Sequence, residues 1–331
     1  MKGTDQSRRG LARLAAAAGM AASGPGSAAR AQPRFPDRPV RLLLPAPPGG
    51  PGDAAIRALA AIASHSLGQP VVVEHRPGAG ATLAARAVRD ARPDGQTLAV
   101  MPVTVFRLPL LMPSQAGFDP RTDFTWVIQL TGLLMGLVVR AESPWRSFPE
   151  FLEHARGHPG RIAYGFPGVN TTELPLEIIA RREGIEWNAV PFRGGTESLQ
   201  ALLGGQIDAI AETSSWMPHV EAGRLRLLVV YSAERVPRFP EVPTLREFGI
   251  TWPADSAAGI AGPRGMEPAI TRKLHDAFRE ALFDPSVQRV LERFDMPVNY
   301  LGSEDYAREA ARLFEQERDV LTRLGRLPPP G

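Results

Sequence analysis

Cysteine is absent from this 331-residue chain. That excludes disulfides, thiolate catalysis and cysteine-held metals, and it leaves an oxidising compartment tolerable without proving one. Lysine is nearly absent too. Of 38 basic residues only Lys2 and Lys273 are lysines, an arginine bias that fits nucleotide composition better than phosphate recognition. No run of about 20 strongly apolar residues occurs, so no membrane span is expected. The chain also lacks a G-x-S-x-G elbow, a glycine-rich loop ending in Gly-Lys and an H-E-x-x-H helix. No internal repeat with a period of about 20–50 residues is present.

What is present begins with an export leader. Ser7-Arg8-Arg9-Gly10-Leu11-Ala12-Arg13 precedes a mild alanine-rich run from Leu14 to Ala22, and Ala29-Arg30-Ala31 offers a small-residue cleavage site before Gln32. Basic start, short apolar stretch and small-residue exit together make a secretory signal over residues 1–31. The paired arginines ahead of weak hydrophobicity suit the twin-arginine route; a general secretory leader that happens to carry Arg-Arg is the alternative. Cleavage near Ala31 changes the charge. The leader holds Lys2, Arg8, Arg9, Arg13 and Arg30 against Asp5, so the 38 basic and 35 acidic residues become 33 and 34, and the net charge moves from +3 to −1. No basic patch then points to nucleic acid. About 300 residues remain, enough for two well-buried domains.

From Val40 onward short apolar runs alternate with amphipathic segments. Val40 to Leu44 reads as a buried strand, followed by the loop Pro45-Ala46-Pro47-Pro48-Gly49-Gly50-Pro51-Gly52. Asp53 is expected to cap a helix whose Ile56, Leu59, Ala60, Ala63 and Leu67 share one face, closed by Gly68. Val71 to Val73 and Thr97 to Met101 are further strands with a helix between. This βαβαβ order calls for a parallel sheet covered by helices. The pattern restarts at Ser147 and Glu150, a capping-box spacing. Strands follow at Ile162 to Gly165, Trp187 to Val190, Ile207 to Ala211 and Leu225 to Val230, with helices between them. After a proline-rich loop come a strand near Ala257 to Ala261 and helices at Pro268 to Phe283, Ser286 to Arg293 and Glu304 to Leu324.

Candidate chemistry is sparse. Gly78-Ala79-Gly80 follows a strand, but Leu83 fills the third glycine position of a dinucleotide loop, so a tight turn is expected. His154 and His158 could share a helix face, yet Pro159 stops that helix and no third ligand is nearby in sequence, so no metal is expected. What stands out is four loops leading from strand ends into helix starts: Pro45 to Asp53, Phe166 to Thr172, Phe192 to Thr196, and Thr213 to Trp216. Each is rich in Gly, Ser, Thr or Asn. In an open α/β sheet such loops gather where ligands bind, and helix N-termini favour an anion such as a carboxylate.

At these loops the chain resembles the periplasmic substrate-binding proteins of tripartite tricarboxylate transporters, the Bug receptors. The matching words are Phe35-Pro36-Asp37-Arg38-Pro39-Val40-Arg41, Pro45-Ala46-Pro47-Pro48-Gly49-Gly50 with Asp53, Leu67-Gly68-Gln69-Pro70 with Val71-Val72-Val73-Glu74, and Arg76-Pro77-Gly78-Ala79-Gly80. Further along stand Pro93-Asp94-Gly95, Val190-Pro191-Phe192-Arg193-Gly194, Leu203-Gly204-Gly205-Gln206-Ile207-Asp208, Pro218-His219 and Pro240-Glu241-Val242-Pro243-Thr244. They keep the family's order over nearly the whole mature chain.

The resemblance implies an α/β protein of the type II periplasmic-binding fold: two lobes with mainly parallel sheets flanked by helices, and a ligand cleft between them. Lobe 1 would hold residues 32–130 plus 254–331, and lobe 2 residues 131–253. The function implied is a receptor, with no cofactor, that captures a small organic carboxylate and delivers it to membrane subunits of such a transporter; a monomer is expected. By position, Pro48, Gly49, Gly50 and Thr104 of lobe 1 would face Phe166, Gly168, Asn170, Thr171, Thr172, Arg193, Gly194, Thr213 and Ser214 of lobe 2, with Asp53 as a structural cap beside the site. The chain departs from the family at Phe166, often a small polar residue, at Leu174, near which the family has a His, and at Ala46, often Phe or Tyr. Trp216 and Glu212 are placed in the cleft region, and Phe166, Phe192 and Trp216 are expected to offer apolar surface. Charges in or beside the loops are Asp53, Glu173 and Glu212 against Arg107 and Arg193, a field suited to one or two carboxylates and not to a citrate-like trianion. Two rival readings are a ligand-sensing partner of a membrane sensor, sharing the same cleft, and an α/β enzyme in which Asp53, Glu173, Glu212 and Arg193 act together.

Overall fold

Three consecutive leucines make Val40–Leu44 a strand, β1, in which only Arg41 is exposed. The computed structural model describes residues 35–166, 172–250 and 257–328. After β1 come α1 (Pro51–Leu67), β2 (Val71–His75), α2 (Thr82–Arg89), β3 (Thr97–Met101), α3 (Thr104–Leu111), α4 (Pro113–Ala116) and β4 (Phe124–Thr131). Helix α1 starts on Pro51, where a missing N–H costs nothing, and stops at Gly68 in the left-handed region, φ 70°. Its Ile56, Leu59, Ala60, Ala63 and Leu67 are buried as the periodicity requires. The turn at Gly78-Ala79-Gly80 has φ of 114°, 47° and 60°, a tight strand-to-helix connection that glycine makes affordable.

The chain then builds a second sheet from β5 (Met135–Arg140), α5 (Phe148–Gly157), β6 (Ala163–Phe166), α6 (Leu174–Glu183), β7 (Asn188–Pro191), α7 (Gly195–Leu203), β8 (Ala209–Thr213), α8 (Met217–Glu221) and β9 (Leu225–Val230). It returns to the first through β10 (Ala258–Pro263), α9 (Pro268–Leu282), α10 (Pro285–Arg293), β11 (Val298–Leu301) and α11 (Ser303–Arg323).

The two sheets define two lobes. The first has six strands in the order β11-β4-β10-β3-β1-β2, the second five in the order β7-β6-β8-β5-β9. Strands joined by βαβ crossovers run parallel: β1 with β2 and β3, and β6 with β7 and β8. Strands that arrive through the inter-lobe crossings run antiparallel, β10 against β3 and β4, and β5 against β8 and β9. The sheets are therefore mixed, with the parallel part in the βαβ portions. The step from β4 to β5 takes three residues, 132–134, and is pinned to the first lobe by Gly132 N–H and Thr131 Oγ1, both donating to Pro297 O at 3.1 and 2.6 Å.

Each lobe has its own core. Leu43, Ala99, Met101, Phe106, Trp126 and Phe314 pack together in the first; Leu137, Phe148, Phe151, Ile179 and Val229 do so in the second. The last turns of α11 leave their own sheet. Val320, Leu321 and Leu324 pack with Leu174 of α6, alongside Leu110, Leu111 and Ile178, so a helix of the first lobe grips the second. Among the described residues no helix is long and apolar enough to cross a membrane.

Candidate functional site

The β1–α1 loop is held by a small polar network. Gly50 is the N-cap of α1 and makes no side-chain cap bond. Asp53 therefore does not cap the helix, as its sequence position suggested. It is the third helical residue, because Pro51 opens the helix two positions earlier. Its Oδ2 accepts from Gly49 N–H at 2.9 Å and its Oδ1 from Arg57 Nε at 2.8 Å. His75 completes the brace: Nδ1 donates to Ala46 O at 2.8 Å, leaving Nε2 to accept from Arg57 Nη2 at 2.8 Å. Sequence reasoning missed Arg57 and His75. The available signal was the parallel register, which sets His75 beside Leu44 at the mouth of the loop. Pro48 and Gly49 are exposed and Gly50 is half-buried.

Thr104 opens α3 directly after β3 and is 6% exposed. Its Oγ1 is buried and hydrogen-bonds no described residue. Arg107, one turn on, is not a cleft cation. It is fully buried, and its Nε and Nη2 donate to Glu317 of α11 at 2.7 Å each.

In the second lobe Gly168, Asn170 and Thr171 lie outside the described residues. Phe166, at the end of β6, is 9% exposed and belongs to the lobe core beside Tyr164. Thr172 is buried, and its carbonyl accepts from Tyr231 Oη at 3.3 Å. Glu173 follows, 9% exposed, with Oε2 making no hydrogen bond to a described residue and Oε1 3.9 Å from Arg326 Nη2. Burial pushes its carboxyl up to about 7, opposed by the charges of Arg326 and Arg107.

The remaining lobe-2 loops meet each other. Gly194 is the N-cap of α7, and Arg193, exposed, donates its backbone N–H to Glu197 Oε2 at 3.0 Å. Thr213 ends β8, and Ser214 begins the short turn behind it, fully buried with an Oγ that hydrogen-bonds no described residue. Glu212 does not line an open cleft. It points under the first turn of α7, where Oε1 accepts from Thr213 N–H at 2.7 Å and Thr213 Oγ1 at 2.9 Å, and Oε2 from Ser198 Oγ at 3.4 Å. Desolvation raises it to about 7 despite those donors. Trp216 offers no surface to a ligand. It is 0% exposed, packs with Phe239, and donates Nε1–H to Glu212 O at 3.1 Å, a buried aromatic with its polar tip satisfied. Phe192 is half-buried against the same core.

The lobes approach at these loops: a Cβ built on Gly194 would stand 3.5 Å from Pro47 Cγ across the gap. This approach marks the seam between the lobes; the strand-to-helix loops carrying Gly49, Gly50 and Thr104 belong to the first lobe and those carrying Gly194, Thr213 and Ser214 to the second. Asp53, Glu173, Glu212 and Arg193 do not hydrogen-bond one another. His154 and His158 stack with ring centroids 4.1 Å apart on α5 and just past it, and no cluster of three or more potential metal ligands occurs among the described residues.

This constellation defines a two-lobed solute-binding architecture, and comparison with known proteins places it. Residues 55–326 match the model of the tripartite tricarboxylate transporter family receptor, and the chain belongs to that family. A Cupriavidus necator protein described as the UPF0065 protein in the gbd 5'region is 42% identical over 320 residues, covering 96% of each chain. Among solved structures, the periplasmic binding protein BugD is 25% identical with a TM-score of 0.81, over 88% of this chain and 99% of that one. MatC of Rhodopseudomonas palustris, with bound malate, is 31% identical with a TM-score of 0.78, over 87% and 100%. A second R. palustris protein, with adipate, is 28% identical with a TM-score of 0.80, over 88% and 98%. The resemblance read from the sequence words and the two-lobed fold it implied are both confirmed.

Proposed function

We propose that the chain is a periplasmic receptor that closes two lobes around a small organic carboxylate and delivers it, as a monomer and without turnover, to the membrane subunits of a tripartite tricarboxylate-type transporter. One observation carries the reading. Thr104 Oγ1 in one lobe and Ser214 Oγ in the other are buried without a hydrogen-bond partner among the described residues, at the two strand-to-helix loops where a ligand would be shared. Buried hydroxyls ordinarily have partners, and helix starts with hydroxyls suit a carboxylate. The malate and adipate of the two R. palustris relatives support that ligand class. The rival enzyme reading needs Asp53, Glu173, Glu212 and Arg193 to act together in hydrogen-bond reach, and these four do not hydrogen-bond one another. The proposed site keeps Pro48, Gly49, Gly50, Thr104, Gly168, Asn170, Thr171, Thr172, Arg193, Gly194, Thr213 and Ser214 and gives up Phe166 to the lobe-2 core. The first lobe boundary moves from 130/131 to after Thr131, the end of β4, and the one read at 253/254 lies outside the described residues.

The test is to purify the mature protein, expected to begin near Gln32, and identify co-purified small molecules by mass spectrometry. A carboxylate that rebinds to stripped protein and reduces its radius of gyration in solution scattering is the expected result. Gly50→Asp should weaken that binding tenfold or more, about 1.4 kcal/mol, by setting bulk and negative charge at the start of α1. Failure of every carboxylate to bind the stripped, folded protein overturns the reading.

A further inference from the structure

Glu212 is unlike the other acids of the seam. Asp53 faces Arg57, and Glu173 has Arg326 at 3.9 Å, whereas no ion pair reaches Glu212 among the described residues. Among the described residues, those against it are uncharged: Gly195 and Ser198 of α7, Gly136 of β5, which pairs with it in register, and Thr213 and Trp216 beyond it. The titratable group that senses its charge is Tyr231, itself buried. The carboxyl is also in close contact with the chain above it. A Cβ on Gly195 would lie 2.6 Å from Glu212 Cδ and 2.8 Å from each oxygen. One side chain thus underlies both lobe-2 loops, Gly194–Gly195 on one side and Thr213–Ser214 on the other.

We propose that Glu212 is the positioning residue that joins these two loops from beneath, and that a carboxylate laid on them is bound together with one proton taken from solvent onto Glu212. The inference rests on the receptor reading above. Two negative charges in one desolvated site are costly when no cation is paired with the buried one. Arg193, next to Gly194, is exposed and makes no ion pair with Glu212 among the described residues, and protonating the carboxyl removes the repulsion while Oε1 keeps both Thr213 donors. The proton belongs on Oε2: Ser198 Oγ, 3.4 Å away, has the nearer Gly195 O at 3.0 Å for its one proton and can accept from a protonated Oε2. Burial already brings this carboxyl up to about 7, so a ligand anion needs to move it only a little further. A ligand whose lobe-2 end is a carboxylate is therefore favoured at acid pH, and a relative with a neutral residue in this place should not share that preference.

The experiment measures binding of malate, adipate, succinate and benzoate to the mature protein between pH 6 and 8.5. Calorimetry at pH 7.5 in buffers of different ionisation heat counts the protons taken up. Affinity for the tightest of these should fall with rising pH, by up to about tenfold per unit where one full proton is coupled, with about half to three quarters of a proton taken up at pH 7.5. Glu212→Gln keeps an acceptor for Thr213 without the charge. It should bind with a flat pH profile, and at pH 8 at least as tightly as the wild type, a gain that a purely structural role does not give. A flat wild-type profile with no proton uptake overturns the inference and leaves the receptor reading standing, and so does an unchanged slope in Glu212→Gln. If none of the four probes nor any other carboxylate binds the folded wild type, the receptor reading falls and this inference with it.

Discussion

Arg107 of α3 and Glu317 of α11 meet in the interior of the first lobe through two parallel hydrogen bonds of 2.7 Å, with 0% and 2% of their surfaces exposed. The pair ties the helix that carries Thr104 to the helix that reaches across to α6. Arg107→Met leaves Glu317 buried without its cation, which typically costs about 3–5 kcal/mol. Arg107→Met combined with Glu317→Leu should recover much of that, since well-packed apolar replacements of a buried pair are often neutral. Urea unfolding of the three proteins checks it. A single variant within about 1 kcal/mol of wild type, the range of an exposed pair, would show that water reaches the site and the pair is not buried in solution.

Gly195 has no room for a side chain, because the Glu212 carboxyl occupies the place a Cβ would take. Gly195→Ala must displace the buried Glu212 carboxyl from its Thr213 donors or push α7 aside, an overpacking that costs about 1–3 kcal/mol, and either shift should also weaken carboxylate binding. The neighbouring Gly194→Ala is the control: its Cβ would meet Pro47 at an ordinary 3.5 Å, so stability should hold. Equal thermal midpoints for both variants would show that the close approach of Gly195 and Glu212 does not persist in solution.

Glu173 and Glu212 set a pH dependence of stability with a definite sign. Both carboxyls are raised by burial from 4.5 to about 7, so the folded protein holds protons that the unfolded chain has already released. Their contribution is fully present below pH 4.5 and is lost as pH rises through 7. The thermal midpoint should therefore fall between pH 5 and 8, and Glu173→Gln should remove part of that fall. Glu247, held down to about 2 by Arg235, titrates outside this window. A midpoint that is level or rising over this range would show that neither carboxyl keeps its proton.

The parts of this protein that were legible in the sequence are those where one physical rule dominates. The apolar runs at Val40–Leu44 and Leu225–Val230 became strands, and the periodic face of α1 became buried. Strands β4 and β5 were not read, although Trp126, Ile128, Leu137 and Val139 fill the two cores: they belong to the crossing between lobes and follow no βαβ alternation. Helix α3 was hidden by Pro109 in its interior. In the site, composition located the loops but could not place single side chains. Asp53 was misread because Pro51 moved the helix start. Trp216 and Glu212 were misplaced because strand alternation sends Glu212 to the face that α7 covers, together with Ile210. Arg107 could be paired only by knowing that α11 returns 210 positions later.

The charge inventory of the seam narrows the proposed class of ligand further than the sequence did. Arg107 is committed to Glu317 and Arg57 to Asp53, which leaves exposed Arg193 as the cation at the lobe-2 loop, and Glu173 and Glu212 add buried acid. One carboxylate can rest on the start of α1 and on the hydroxyls of Thr104 and Ser214, and a second can pair with Arg193. A third would be desolvated beside two acids without a partner, which is costly. With Trp216 buried, Phe192 is the aromatic left to meet an apolar ligand body, so short aliphatic mono- and dicarboxylates should outperform bulky aromatic ones. A thermal-shift panel separates the classes, because a ligand at about 100 times its dissociation constant stabilises by about 2.7 kcal/mol. Malate, succinate and adipate are expected to raise the midpoint more than citrate at equal concentration and pH 7. Citrate giving the largest shift would mean that cations outside the loops described here reach the ligand, and the assignment of the seam would have to be redrawn.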